Sequence, residues 1–210
     1  MTITDTRRHA PRGEANIEVR HIKSRERKRD LGEVYTQARE VDAMLALIPD
    51  AFRSIDTRFL EPAAGNGNFV VAILERKIAL LDEAIHGGTA NWYEFALLRC
   101  LASTYGVDIN EENVLEARER VTAVIDSAHV FSGRPATAGF STAVETILRT
   151  NLVVGDSLNA AEAIVFVEYT PLDGEHFARQ ASHLEDPKMD LFYEPPALMS
   201  TVHYSELGTV

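Results

Sequence analysis

The 210-residue sequence predicts an α/β fold built on a parallel, doubly wound sheet. Three observations predict it. Short apolar segments at 58–61, 105–109 and 151–154 alternate with longer stretches of helical character. A glycine-rich turn containing Gly65 and Gly67 joins the first segment to a helix. The second and third segments carry or lead into acids, Asp108 and Asp156, at the edge where open parallel sheets bind ligands.

The elements follow in order. Residues 1–20 are polar and Arg-rich, with Pro11 and Gly13, and read as disordered; the basic arm is set at 1–25. Val41, Met44, Leu45 and Ile48 fall at i, i+3, i+4, i+7, an amphipathic helix that Pro49 ends. A strand over 58–61 enters the turn, and a helix runs from Asn68 towards Ile85, closed by Gly87-Gly88. A further helix spans about 91–103. Tyr105-Gly-Val-Asp-Ile109 reads as a second buried strand, and Asn110 caps a helix with Val114, Ala117, Val121 and Val124 on one face. Residues 127–140 read as a Ser/Gly/Pro loop, Thr142-Ala-Val-Glu145 as a capping box, and Asn151-Leu-Val-Val154 as a third strand. Beyond 160, segments 163–170 and 175–180 flank Pro171-Leu-Asp-Gly174, a hairpin signal. Residues 181–210 show no regular pattern. The domain reading is therefore an arm at 1–25, a ligand-binding domain at 26–160, and a hairpin with an irregular segment at 161–210.

Composition narrows the function classes. Hydrophobic residues make up 45% and charged residues 25%, as in soluble globular proteins. No apolar run is long enough to span a bilayer, and the charged N-terminus predicts no signal peptide, so the cytoplasm is expected. The single cysteine, Cys100, excludes an internal disulfide and a Cys-rich zinc site; its apolar setting predicts an inert buried thiol, and no metal is expected. The net charge of −11 is uneven. Residues 1–30 hold nine Lys/Arg against five Asp/Glu, whereas residues 31–210 hold twelve against twenty-seven. An acidic body is a poor surface for phosphates, so DNA contact would fall to the basic arm or to a partner subunit.

The turn carries the chemistry. Gly65 and Gly67 let the backbone approach a ligand, and the helix that follows offers free N–H groups and a positive dipole end. Asp108 can accept hydrogen bonds from two ribose hydroxyls, and Asp156 from an exocyclic adenine amine. A nicotinamide dinucleotide fits less well. No third glycine follows Gly67, and Asp108 lies 43 residues beyond Gly65 rather than about 20.

Phe59-Leu-Glu-Pro-Ala-Ala-Gly-Asn-Gly-Asn-Phe69 resembles motif I of the amino-group DNA methyltransferases. Leu31-Gly-Glu-Val-Tyr-Thr36 resembles motif X, with Gln37 in place of the usual proline. Tyr105–Ile109 resembles motif II, and Asn151-Leu-Val-Val-Gly-Asp-Ser-Leu158 resembles motif III. The order X, I, II, III is similar to that of the gamma class of adenine-N6 methyltransferases, found in restriction–modification systems and phages. The resemblance covers about residues 25–160. It implies a Rossmann-like class I sheet and S-adenosylmethionine (SAM) as cofactor. The implied cofactor-binding residues are Thr36, Glu61, Pro62, Ala63, Gly65, Asn66, Gly67, Phe69, Asp108, Ile109, Asp156 and Ser157. Gly65, Gly67 and their neighbours would hold the methionine, Asp108 the ribose, Asp156 the adenine, and Thr36 would close over the amino-acid moiety.

The resemblance weakens at the catalytic motif, [ND]-P-P-[YFW]. Its carbonyl oxygens accept from the target amine, and its aromatic stacks on the flipped base. Glu194, Pro195 and Pro196 stand in that place, but Glu194 is one methylene too long and Ala197 replaces the aromatic. A Pro-containing tail is the competing reading of this stretch. The chain has room for about four of the seven strands of a full methyltransferase sheet, so the sheet is expected to be incomplete. Three functions remain open: an adenine-N6 DNA methyltransferase or its SAM-binding subunit, a non-catalytic SAM- or partner-binding module, and a nucleotide-binding oxidoreductase.

Overall fold

The computed structural model describes residues 36–82, 89–184 and 198–209. The basic arm, residues 31–35, Gly87-Gly88 and the 190–197 stretch with Glu194, Pro195 and Pro196 lie outside the described residues.

Three parallel strands form the first sheet: β1 (Phe59–Glu61), β2 (Thr104–Asp108) and β3 (Leu152–Val154), in the order β1-β2-β3. Glu61 aligns with Gly106, and Asp108 with Val154, so the carboxyl ends of all three strands lie together. Between them run α2 (Asn68–Asp82), α3 (Ala90–Ala102), α4 (Glu111–Phe131) and α5 (Phe140–Asn151), preceded by α1 (Ala38–Leu45). This is the α/β alternation the sequence predicts, with parallel strands joined through helices. The main core gathers Val70, Leu74 and Ile78 of α2, Leu97, Leu98 and Leu101 of α3, Val121 and Ile125 of α4, and Ile147 of α5. Cys100 is buried within it, and desolvation pushes its thiol up to about 12.

A second, antiparallel sheet holds β4 (Val165–Leu172), β5 (His176–His183) and β6 (Leu198–His203). Its turn includes Glu175 at φ 63°. The expected hairpin is present, except that Pro171 and Leu172 belong to the strand and pair with Phe177 and His176. Phe177 packs between Phe95 and Tyr169, at centroid distances of 4.8 and 5.7 Å, and ties this sheet to α3. Ile164 and Phe166 cover Tyr105 and Val107 on β2.

Several expectations are corrected. In α1 only Val41 and Leu45 are buried; Met44 and Ile48 are 54% and 45% exposed. The helix stops at Leu45, before Ile48 could join its face, and Pro49 opens a 3-10 turn (Pro49–Arg53) instead of ending the helix. Ile109 falls outside β2 and is 69% exposed. Ile125, not Val124, completes the buried face of α4. That helix also runs on to Phe131, so the expected loop at 127–140 shrinks to 132–139. The reason is His129, whose Nε2 lies 3.0 Å from Oε1 of the fully buried Glu94. The capping box at Thr142 does not form. Helix α5 starts earlier, at Phe140, after Gly139 at φ 89°, where a Cβ would lie 2.1 Å from the Ser205 carbonyl oxygen. Asn151 closes α5 rather than opening β3, and its Nδ2 donates to Ala102 O at 3.1 Å. The segment expected to be irregular instead supplies β6 and a 3-10 turn (Tyr204–Thr209) whose Tyr204 and Leu207 are buried.

Candidate functional site

The chain leaves β1 at Glu61 and must reverse into α2 within six residues. Gly65 at φ 53° and Gly67 at φ 88° make this possible, because that region is costly for residues with a Cβ. Gly67 serves a second need. A Cβ there would sit 2.9 Å from the Cβ of Ala117, so its bareness is what lets α4 close on the turn.

Side chains then wire the three strand ends together. Gly65 N–H donates to Asp108 Oδ2 at 2.8 Å, linking the turn to the end of β2. Asp108 Oδ1 accepts from Asn110 N–H at 2.9 Å and from Asn113 Nδ2 at 3.1 Å. A carboxylate offers about four lone-pair directions, so a ligand hydroxyl would meet an acceptor already held rigidly in place. Ala64 N–H donates to Val107 O at 2.7 Å, and Ala63 N–H to Glu61 Oε1 at 3.1 Å. Ser157 Oγ donates to Pro62 O at 2.7 Å and brings the end of β3 to the same turn. Asp156 accepts from Leu158 N–H and Asn159 N–H at 3.0 Å and from Asn159 Nδ2 at 2.8 Å. Those bonds, that of the Asn159 side chain foremost, hold its carboxyl below the usual carboxylate range.

The inner face of α4 adds polar residues to the site that no motif of the sequence marks. Asn113, Glu116, Ala117 and Arg120 recur at helical spacing, and every one meets the turn or its acid. Glu116 Oε1 accepts from Asn66 Nδ2 at 3.0 Å. Arg120 Nη1 donates to Asn66 O at 2.6 Å and to Asn68 Oδ1 at 2.8 Å. Asn68 Nδ2 in turn donates to Thr36 O at 2.9 Å, which fixes Thr36 beside the turn. Asn66 Oδ1 is buried and has no hydrogen-bond partner among the described residues. The signal that could have found this face is the i, i+3, i+7 spacing of polar residues that begins right after the Asn110 cap.

Two expected site residues sit elsewhere in character. Phe69 packs against the apolar cluster of Val41, Leu45 and Ile73 between α1 and α2. Ile109 projects as an exposed apolar side chain next to Asp108. Gln37, where the resembling motif has proline, caps α1; its N–H donates to Glu40 Oε2 at 3.1 Å, a bond that proline could not make.

Among the described residues, no group of three or more His, Cys, Asp or Glu side chains is placed to hold a metal ion, and no helix is long and apolar enough to cross a membrane. Cavities of about 240 and 180 Å³ flank Tyr105, lined by the Arg58–Glu168 pair and by Phe166, and they do not include the turn. No family model, curated protein or solved structure matches the chain.

Proposed function

We propose that this chain binds S-adenosylmethionine at the 61–68 turn, as an adenine-N6 DNA methyltransferase of class I or as the cofactor-binding subunit of one. The observation that carries the reading is the sign of the site. Asp108 and Asp156 close the strand ends, and Glu61 and Glu116 stand on the turn and beside it, four carboxylates against the guanidinium of Arg120. A pyrophosphate would meet these carboxylates at a cost, for a charge pair about 4 Å apart, of about 1 kcal/mol in bulk water and about 4 kcal/mol near a protein surface. A ligand bearing an ammonium, a sulfonium and ribose hydroxyls suits the same groups.

The residues divide the work. Asp108 accepts from the ribose, ionised Asp156 faces the adenine side, and the N–H groups opening α2 take the cofactor's carboxylate. The cofactor supplies a methyl group on a sulfonium, which brings its own leaving group. DNA contact falls to the basic arm or to a partner, because residues 31–210 are strongly acidic.

Isothermal titration tests this. The unmodified chain binds S-adenosylmethionine and not NAD, and Asp108→Ala abolishes the heat. No binding by the unmodified chain refutes the reading. A second reading, a cofactor-binding module that transfers no methyl group, draws support from Glu194 and Ala197 in place of the amide-or-acid and aromatic of the resembling motif. Tritiated methyl transfer to mixed DNA, with and without the proteins encoded beside this one, separates the two. Robust transfer by the lone chain eliminates the second.

A further inference from the structure

We infer that Arg120 is a positioning residue that clamps the glycine-rich turn and, through Asn68, couples it to Thr36; the inference rests on the cofactor reading above. The hydrogen bonds form one chain. Arg120 Nη1 donates to Asn66 O at 2.6 Å and to Asn68 Oδ1 at 2.8 Å, and Asn68 Nδ2 donates to Thr36 O at 2.9 Å. Helix α4, the turn and the segment entering α1 are thereby linked through two side chains.

The charge at this point is the second observation. Asn68 is the first residue of α2, and a helix N-terminus favours anions over cations. Arg120 nevertheless holds a guanidinium there, and among the described residues its hydrogen bonds go to neutral oxygens. Glu116, one turn earlier on the same helix, is engaged with Asn66. A cation beside the positive end of a helix is relieved when an anion arrives, and the carboxylate of an amino-acid moiety is such an anion. Arg120 thus holds the turn's shape and raises the local potential for that carboxylate. Asn68 passes the same geometry to Thr36.

Two variants of the full chain test this against a merely structural role. Arg120→Met removes the clamp and the charge, and S-adenosylmethionine affinity falls roughly tenfold to hundredfold. Asn68→Asp keeps an acceptor for Arg120 and places an anion at the start of α2, so thermal stability holds or rises. It also loses the donor to Thr36 and neutralises the guanidinium, so affinity falls. Stability and affinity moving in opposite directions in Asn68→Asp supports the inference. Affinity equal to or above that of the unmodified chain in either variant overturns it. If the unmodified chain binds no S-adenosylmethionine, the functional reading fails, and amide exchange at Asn66 to Phe69 judges the clamp alone. Faster exchange in Arg120→Met supports it, and unchanged exchange overturns it.

Discussion

The two ends of the parallel sheet handle charge in opposite ways. At the amino ends of β1 and β2 stands a cation, Lys77, which is fully buried. Its ammonium donates to Thr57 O at 2.8 Å, Ser103 O at 3.1 Å, Ser103 Oγ at 2.6 Å and Thr104 Oγ1 at 3.2 Å. It also lies 5.0 Å from the centre of the Phe59 ring. At the carboxyl ends stand Asp108 and Asp156, half in solvent, with donors arranged around them. Helix directions explain the sorting. Helices α2 and α4 begin at the carboxyl ends, where anions are favoured, and α3 ends beside Lys77, where cations are. One end is closed around its charge, and the other is open to solvent.

The strongest way to break this contrast is to fill the open end. Gly67→Ala demands φ near 88° of a residue with a Cβ and drives that atom to 2.9 Å from Ala117. The backbone strain and the overpacking together cost about 2–4 kcal/mol. In a chain of this size the midpoint of thermal unfolding then falls by roughly 5–15 °C. Ligand affinity falls further than stability explains, because the turn itself moves. The double variant Gly67→Ala/Ala117→Gly recovers the steric share and not the strain. Calorimetric unfolding and titration of both variants separate the two parts, and a Gly67→Ala protein with unchanged binding would remove the turn from the site.

The closed end gives a pH signature. Desolvation lowers the Lys77 ammonium to about 8, against partial opposition from Cys100 and Asp56. The folded value lies below the unfolded one, so above pH 8 the unfolded chain binds more protons and stability rises with pH. Cys100, raised to about 12, has the opposite effect from its unfolded value of 9 upwards, since the folded chain then holds the extra proton. The clean window is therefore pH 8 to 9. There the unmodified protein gains stability relative to Lys77→Met, with a slope approaching about 1.4 kcal/mol per pH unit. Urea unfolding at a series of pH values measures it, and parallel curves for the two proteins would show that Lys77 does not titrate as its burial demands.

The two ends were unequally legible in the sequence. The open end was visible because its constraints are local: the Gly65 and Gly67 spacing, the acids at strand ends and the Asn110 cap all lie within short windows. The features with no local signal depend on distant partners. His129, in the last turn of α4, meets the buried Glu94, 35 residues away in the chain. Strand β6 pairs with β5, although residues 198–203 show no regular pattern of their own in the sequence. The α4 residues that grip the turn are ordinary polar helix residues until Asn66 and Asn68 are placed against them. Lys77 has the same character: no local pattern marks a lysine in a helix as the buried hub of two strand ends.

The smallest expected effect tests whether the closed end responds to the burial of its cation or to positive charge as such. Arg99, in the last turn of α3, also sits at this end and pairs with Asp56, donating from both Nε, at 3.0 Å, and Nη2. Its side chain is 29% exposed and that of Asp56 is 39% exposed. Solvent reaches both partners, so the pair contributes about 0.2–1 kcal/mol despite its two-point geometry. A double-mutant cycle with Arg99→Met and Asp56→Ala measures the coupling free of each residue's other contacts. The coupling should shrink between 0.05 and 0.5 M salt, concentrations taken as roughly bracketing strong and weak screening. The Lys77 slope between pH 8 and 9 should be almost insensitive to the same change, because its partners are buried with it. A coupling at Arg99 and Asp56 that equals the Lys77 effect and resists salt would assign the electrostatics of this end to charge as such. A small, screened coupling leaves the pH response of this end to the burial of Lys77.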